Sequence, residues 1–387
     1  MLRRLVVLYI ALATSGCSSD KAAETSCDLP GVTAANCEAV HAMRLPAAPA
    51  PARGNQYGDD ESAAYLGFKL FFSTELGSGV GCPTCHLPEL AFTDRKSIST
   101  GKEPGSRNAP TVFNAADLNV IFWDGRADSL WSQPLFAIEN PLEMASSRLE
   151  LAHYVASVPE VRSQYEGVFG SLPDVESWPA AGKPGDADFD ALPAATQDDA
   201  NRLAANVGKS LEAYMRKNRT SASAFDRFLD GDSTQLIPAA QRGLRVFLDQ
   251  GCATCHGGPM LTDEDFHDMG FPSLPDAAPD LGRANGVKVL RGNIFNLSGP
   301  YADAGPGVPG DIPSGAGEKG AFRTPSLRNI ALTQPYGHDG ALASLRDVLA
   351  LHAPKVDEAG TGELLALFQT FSGDYPERPW NNWPAPQ

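Results

Sequence analysis

Positive charge and long apolar runs are what this sequence lacks most. Its 387 residues carry 31 lysines and arginines against 47 aspartates and glutamates, a formal charge of −16 at pH 7. A chain this acidic repels polyanions, which excludes nucleic acid as a partner. The same field would draw in a basic electron donor or protein substrate, though acidity also serves solubility. The apolar run near the start, Leu5 to Ala13, falls well short of the roughly 20 residues that span a bilayer. Little β is expected, and in the Gly/Pro-dense segment from Phe271 to Ala321 only Val287 to Leu290 hints at a strand.

The short apolar run has its own meaning. Arg3 and Arg4 precede it, and Ala13-Thr14-Ser15-Gly16 follow it ahead of Cys17. Residues 1–16 therefore read as an export leader of lipoprotein type, with a lipid anchor at Cys17 as one expectation and a plain secretory signal as the other. The expected location is the periplasm, with the outer membrane as the place of anchoring. Cysteine is sparse as well, at seven residues. Four lie in two short motifs and one is Cys17, which leaves Cys27 and Cys37 free to close a small loop in an oxidising compartment.

The two motifs are Cys82-Pro83-Thr84-Cys85-His86 and Cys252-Ala253-Thr254-Cys255-His256. In C-x-x-C-H two thiols reach the vinyl groups of one haem, and the adjacent histidine faces the iron. An isolated C-x-x-C would read as a zinc or redox pair, but a histidine directly after both copies argues against it. Two covalently bound haem c groups are expected, on Cys82, Cys85 and His86 and on Cys252, Cys255 and His256. The distance between the motifs in sequence requires two haem-bearing units.

A mostly α fold is expected: two cytochrome c-like haem domains joined by long loops, with little β. Residues 17–55 are rich in Ala, Pro and Ser, lack apolar periodicity and read as a flexible tether. The N-terminal haem domain is placed at 56–235 and the C-terminal one at 236–387. Asp59 or Asp60 can cap a helix leading to the first motif. Further helical patterns run over 127–139, 147–157, 160–169, 196–217, 222–229, 238–248, 344–351 and 361–371.

Longer stretches carry a resemblance. Phe122-Trp123-Asp124-Gly125-Arg126, Glu139-Asn140-Pro141-Leu142-Glu143-Met144, Phe322 to Asn329 and Pro335-Tyr336-Gly337-His338-Asp339-Gly340 are similar to motifs of the bacterial dihaem cytochrome c peroxidase and MauG superfamily, in family order. The likeness extends from about Tyr57 to about Ser372. It implies a peroxide-reactive N-terminal haem on His86 and an electron-transfer C-terminal haem on His256. Trp123 matches a tryptophan between the haems, and Gln133 and Glu143 match residues over the reactive iron. A carboxylate there can move the proton that peroxide cleavage requires. Asn108, with the carbonyls of Thr333 and Pro335, matches a calcium site between the domains.

Two departures set the expected subtype. Where many such peroxidases place a histidine that closes the reactive haem until reduction, this chain has Gly101 and Lys102, and its loop from Leu87 to Pro110 contains no histidine. The first iron is therefore expected to be open, as in MauG-like and MbnH-like members, with Lys102 as the alternative ligand. At the distal position of the second haem stands His352, with Met269 as its rival. The leading expectation is an enzyme that uses hydrogen peroxide to oxidise Trp or Tyr of an exported partner protein. A peroxidase drawing electrons from a small redox protein comes second. A dihaem electron carrier is third, since it would need two six-coordinate irons and only one good sixth ligand is present. MauG passes holes through a tryptophan just before its second motif, where Gln250 stands here.

Overall fold

The computed structural model describes residues 27–304 and 319–376, so the leader and Cys17 lie outside the described residues. The fold is mostly helical. Its only sheet among the described residues is an antiparallel pair of two-residue strands, Phe266–His267 and Phe322–Arg323. No described helix is long and apolar enough to cross a membrane.

Each half is organised by two helices that cross at a glycine. In the first, Glu61–Phe72 lies on Ala194–Met215, and a β-carbon on Gly67 would stand 1.9 Å from the Ser210 carbonyl oxygen. In the second, Pro238–Asp249 lies on Glu358–Gln369, and a β-carbon on Gly243 would stand 2.1 Å from the Glu363 carbonyl oxygen. Only hydrogen fits at either crossing, so packing offsets the roughly 0.5–1 kcal/mol that glycine costs inside a helix. Helix starts follow local chemistry. The Asp60 carboxylate accepts from Ala63 N, Ser147 accepts from Glu150 N, and Ser344 with Asp347 forms a capping box.

Each crossing has its own apolar core. The first holds Leu66, Phe71, Phe92, Trp131, Leu135 and Tyr214, and the second holds Phe225, Leu244, Phe247, Leu364, Leu367 and Phe371. The Ala224–Leu229 helix places Phe225 in the second core, on Phe371 at a ring distance of 4.9 Å. In return, Phe295 and Tyr301 cross back into the first core.

Three expectations need correction. Residues 27–55 are not a tether. Leu29, Val40 and Met43 are buried in the second core, Cys27 is bonded to Cys37, and Arg328 donates to the Met43 carbonyl oxygen at 2.6 Å. This strap has no periodicity because it is held by backbone hydrogen bonds and scattered anchors rather than by one face. Val287 to Leu290 is not a strand but part of the Arg283–Gly292 helix, with Val287 and Leu290 buried and Gly286 against the Asp124 carbonyl oxygen. The helix expected from Ala127 begins only at Gln133, since Ala127 pairs with Ile121 and the Asp128 carboxylate accepts from Leu297 N.

Candidate haem and peroxide site

The Cys82–Thr84 turn follows the Glu61–Phe72 helix, and the His86 amide closes onto the Cys82 carbonyl at 2.9 Å. His86 Nδ1 lies 3.0 Å from the Phe92 carbonyl oxygen. A carbonyl only accepts, so Nδ1 carries the proton and Nε2 keeps its lone pair for a metal. Burial also lowers the His86 pKa, which favours the neutral ring. Burial pushes the Cys82 thiol up to about 12 and the Cys85 thiol up to about 11.

Cys82, Cys85 and His86 form one wall of a cavity of about 830 Å³. Trp123, Gln133, Glu143 and Asn108 line the same cavity, so the structure brings these expected site residues together. Glu143 is oriented by Asn140 Nδ2, which donates to its Oε1 at 2.7 Å. His86 is the only described histidine in the lining, and Lys102 is not in it. Instead Lys102 Nζ donates to the Ser78 carbonyl at 3.0 Å, while its backbone N–H donates to the Glu143 carbonyl at 2.8 Å.

Trp123 stands at the seam between the halves. Its indole N–H donates to the Asn108 carbonyl at 3.0 Å, and the Asn108 amide donates to the His338 carbonyl at 2.9 Å. The Trp123 carbonyl accepts from Arg323 N at 2.8 Å. The preceding Phe122 has a left-handed φ of 70°, a conformation that costs about 1–3 kcal/mol for a bulky residue. Arg126 lies 3.6 Å over its ring and offsets part of that cost. Arg107 was missed in the sequence: it holds Asp280 through two hydrogen bonds of 2.7 and 2.8 Å and Asp124 through Nη1 at 2.7 Å. Its partners are too far away in sequence for any local spacing to reveal it.

At the second motif, His256 Nδ1 faces the Leu261 carbonyl at 3.2 Å, repeating the first arrangement. Burial, reinforced by the nearby His352 ring, lowers the His256 pKa to about 4, so the ring is neutral. The His256 and His352 ring centroids are 6.3 Å apart. Two imidazoles bound through nitrogen at about 2 Å to one central metal would have centroids roughly 6 Å apart. His352 reaches this place from the last residue of the Leu345–His352 helix. Met269 is 51% exposed on the surface and Met260 is buried in the protein interior.

For the calcium residues, Asn108 is buried and Nδ2 donates to the Lys96 carbonyl at 2.8 Å, which leaves Oδ1 as the atom able to face a cation. The Asn108–His338 hydrogen bond brings it beside the loop that carries Thr333 and Pro335.

Two C-x-x-C-H turns, each with a neutral histidine oriented by a backbone carbonyl, fit two c-type haems, and the first cavity has the size of a cofactor site. The molecule is thus a dihaem c-type cytochrome with a peroxidase-type site. Residues 61–234 match the family model described as di-haem cytochrome c peroxidase. Cytochrome c551 peroxidase of Pseudomonas aeruginosa is 32% identical over 295 residues, covering 75% of this chain and 71% of that protein. Methylamine utilization protein MauG of Methylorubrum extorquens is 31% identical over 289 residues, covering 73% and 66%. A MauG-like protein associated with microbial copper homeostasis shares the fold, with a TM-score of 0.61 at 24% identity over 85% of this chain and 95% of that one. The chain belongs to the dihaem cytochrome c peroxidase and MauG family, and is a peroxidase-type oxidoreductase that uses hydrogen peroxide.

Proposed function

We propose that this enzyme reacts with hydrogen peroxide directly at an open N-terminal haem held by His86, and passes oxidising equivalents to Trp or Tyr of an exported partner protein. The observation that carries this reading is Gly101. It lines the first cavity, and a β-carbon there would stand 2.5 Å from the Glu143 carbonyl oxygen, so no side chain can project from this position to close the iron. Lys102 is engaged at Ser78 and does not line the cavity.

Haem iron supplies the redox chemistry of peroxide cleavage. Glu143 takes a proton from one peroxide oxygen and returns it to the other, Gln133 orients the bound peroxide, and Trp123 carries holes across the seam. His256 and His352 together hold the second haem. Calcium at Asn108 and the carbonyls of Thr333 and Pro335 fixes the two halves against each other. Export to the periplasm belongs to this reading, with either a lipid anchor at Cys17 or a plain secretory signal. The second reading, removal of peroxide with electrons from a small redox protein, is favoured by the similarity to cytochrome c551 peroxidase.

The test is to mix the fully ferric holoprotein with equimolar hydrogen peroxide and no reductant. The absorption bands of both haems are expected to change within the first turnover. A change seen only after pre-reduction would overturn the open-site reading. Rapid peroxide turnover with a reduced small cytochrome, but no covalent change in an exported protein encoded beside this one, would favour the second reading.

A further inference from the structure

The aromatic residues outside the described site are not equivalent as places for an oxidising equivalent to rest. Phe295 lines the first cavity, and the Tyr301 ring packs on it at 5.4 Å between centroids. The Tyr301 hydroxyl donates to Asp198 Oδ1 at 2.8 Å. Asp198 also receives Arg202 Nη2 on Oδ2 at 3.0 Å, and its side chain is 50% exposed. A phenol that loses an electron becomes strongly acidic, so oxidation near neutral pH needs a base already hydrogen-bonded to the hydroxyl. Tyr301 has one, in contact with water.

The rivals are less suited. Trp131 is fully buried and packs on Phe295 at 6.2 Å, but its indole N–H has no hydrogen-bond acceptor to take a proton on oxidation. Cations lie over both rings, Lys209 Nζ at 5.5 Å from Trp131 and the Arg202 guanidinium at 5.7 Å from Tyr301, so charge does not separate the two. Tyr65 faces Glu160 at a longer 3.3 Å, and Phe68, Tyr214 and Phe71 separate it from the cavity.

We propose that Tyr301 is a redox station that carries oxidising equivalents from the N-terminal haem toward the surface. After peroxide has oxidised the haem, one electron leaves Tyr301 and reduces the haem by one equivalent. The phenolic proton moves to Asp198 Oδ1, and a neutral tyrosyl radical remains. An external donor later returns the electron, and the proton returns from Asp198. This rests on the peroxide reading above.

The experiment is freeze-quench electron paramagnetic resonance of the holoenzyme mixed with hydrogen peroxide, with parallel optical records of the haems. An organic radical that changes hyperfine pattern in protein labelled with ring-deuterated tyrosine is expected. It should be lost in Tyr301→Phe, kept in Trp131→Phe and strongly reduced in Asp198→Asn, while the haem bands of all three variants still respond to peroxide. A spin trap should map to the peptide containing Tyr301. Normal haem changes with an identical radical in Tyr301→Phe, or with no tyrosyl radical in the unsubstituted enzyme, would overturn the relay alone. Absence of any haem response would overturn the peroxide reading and the relay with it.

Discussion

Gly101 lies directly against Glu143: a β-carbon on the glycine would stand 2.6 Å from the Glu143 α-carbon. The contact is held by Lys102 N to the Glu143 carbonyl at 2.8 Å and Glu103 N to the Leu142 carbonyl at 3.0 Å. The loop after the first haem motif thus braces the proposed proton carrier. Glu143→Gln should slow the peroxide reaction by about 10² to 10⁴. Gly101→Ala should slow it in the same direction by displacing the Glu143 backbone. Stopped-flow absorption measures both, and wild-type rates in Glu143→Gln would remove the residue from the mechanism.

Trp123 is bonded to both halves, through Asn108 and through Arg323 N. Trp123→Phe keeps an aromatic ring but loses the indole donor and its low oxidation potential. The expected result is a normal peroxide reaction at the N-terminal haem with no accompanying change at the other. Unchanged behaviour of both haems would assign communication to another route.

What the sequence revealed follows from how local each feature is. Haem attachment is written in five consecutive residues, and the Asp60 cap acts within three, so both were legible. The strap of residues 27–55 was not, because its anchors are Arg328 and Asp226, which bond to the Met43 carbonyl and Leu45 N across the chain. The Arg283–Gly292 helix looked like a strand because its short apolar run was read alone, whereas Gly286 and Arg283 dock it on the 124–125 backbone. Glu143, Gln133 and Asn108 were found only through resemblance, since their shared cavity is assembled from two loops and the start of the Gln133–Glu139 helix, which have no common period.

Glu212 makes stability depend on pH. Burial pushes its carboxyl up to about 7 from an ordinary value of 4.5. Between those values the folded chain binds more protons than the unfolded one, so this contribution falls as pH rises through the window. At about 1.36 kcal/mol per pKa unit the loss is on the order of 3 kcal/mol. Glu212→Gln can still accept from Asn55 Nδ2, now 3.0 Å from the carboxylate. Urea unfolding at pH 5 and pH 8 should show the variant gaining stability relative to wild type at the higher pH. Equal pH slopes in the two proteins would contradict this.

Chelation addresses the proposed calcium. If Asn108 Oδ1 and the carbonyls of Thr333 and Pro335 share one ion, a chelator should lower the melting temperature, and added calcium, but not magnesium, should restore it. Asn108→Ala should bind no calcium by metal analysis and should not respond to the chelator. A chelator-sensitive Asn108→Ala would place the ion elsewhere.

The 6.3 Å between the His256 and His352 rings bears on the second haem in a way that can be read spectroscopically. With both imidazoles bound, the ferric C-terminal iron should be low-spin, while the N-terminal iron, with His86 as its protein ligand, should be high-spin. Electron paramagnetic resonance of the oxidised protein should therefore show one signal of each kind. In His352→Ala the low-spin signal should disappear, because Met260 is buried in the protein interior and Met269 sits on the surface. His352→Met should restore a low-spin signal of different shape, since a thioether is a weaker donor than imidazole, and should raise the potential of that haem. A low-spin signal unchanged in His352→Ala would mean that another residue binds the iron and that the paired rings are a packing contact.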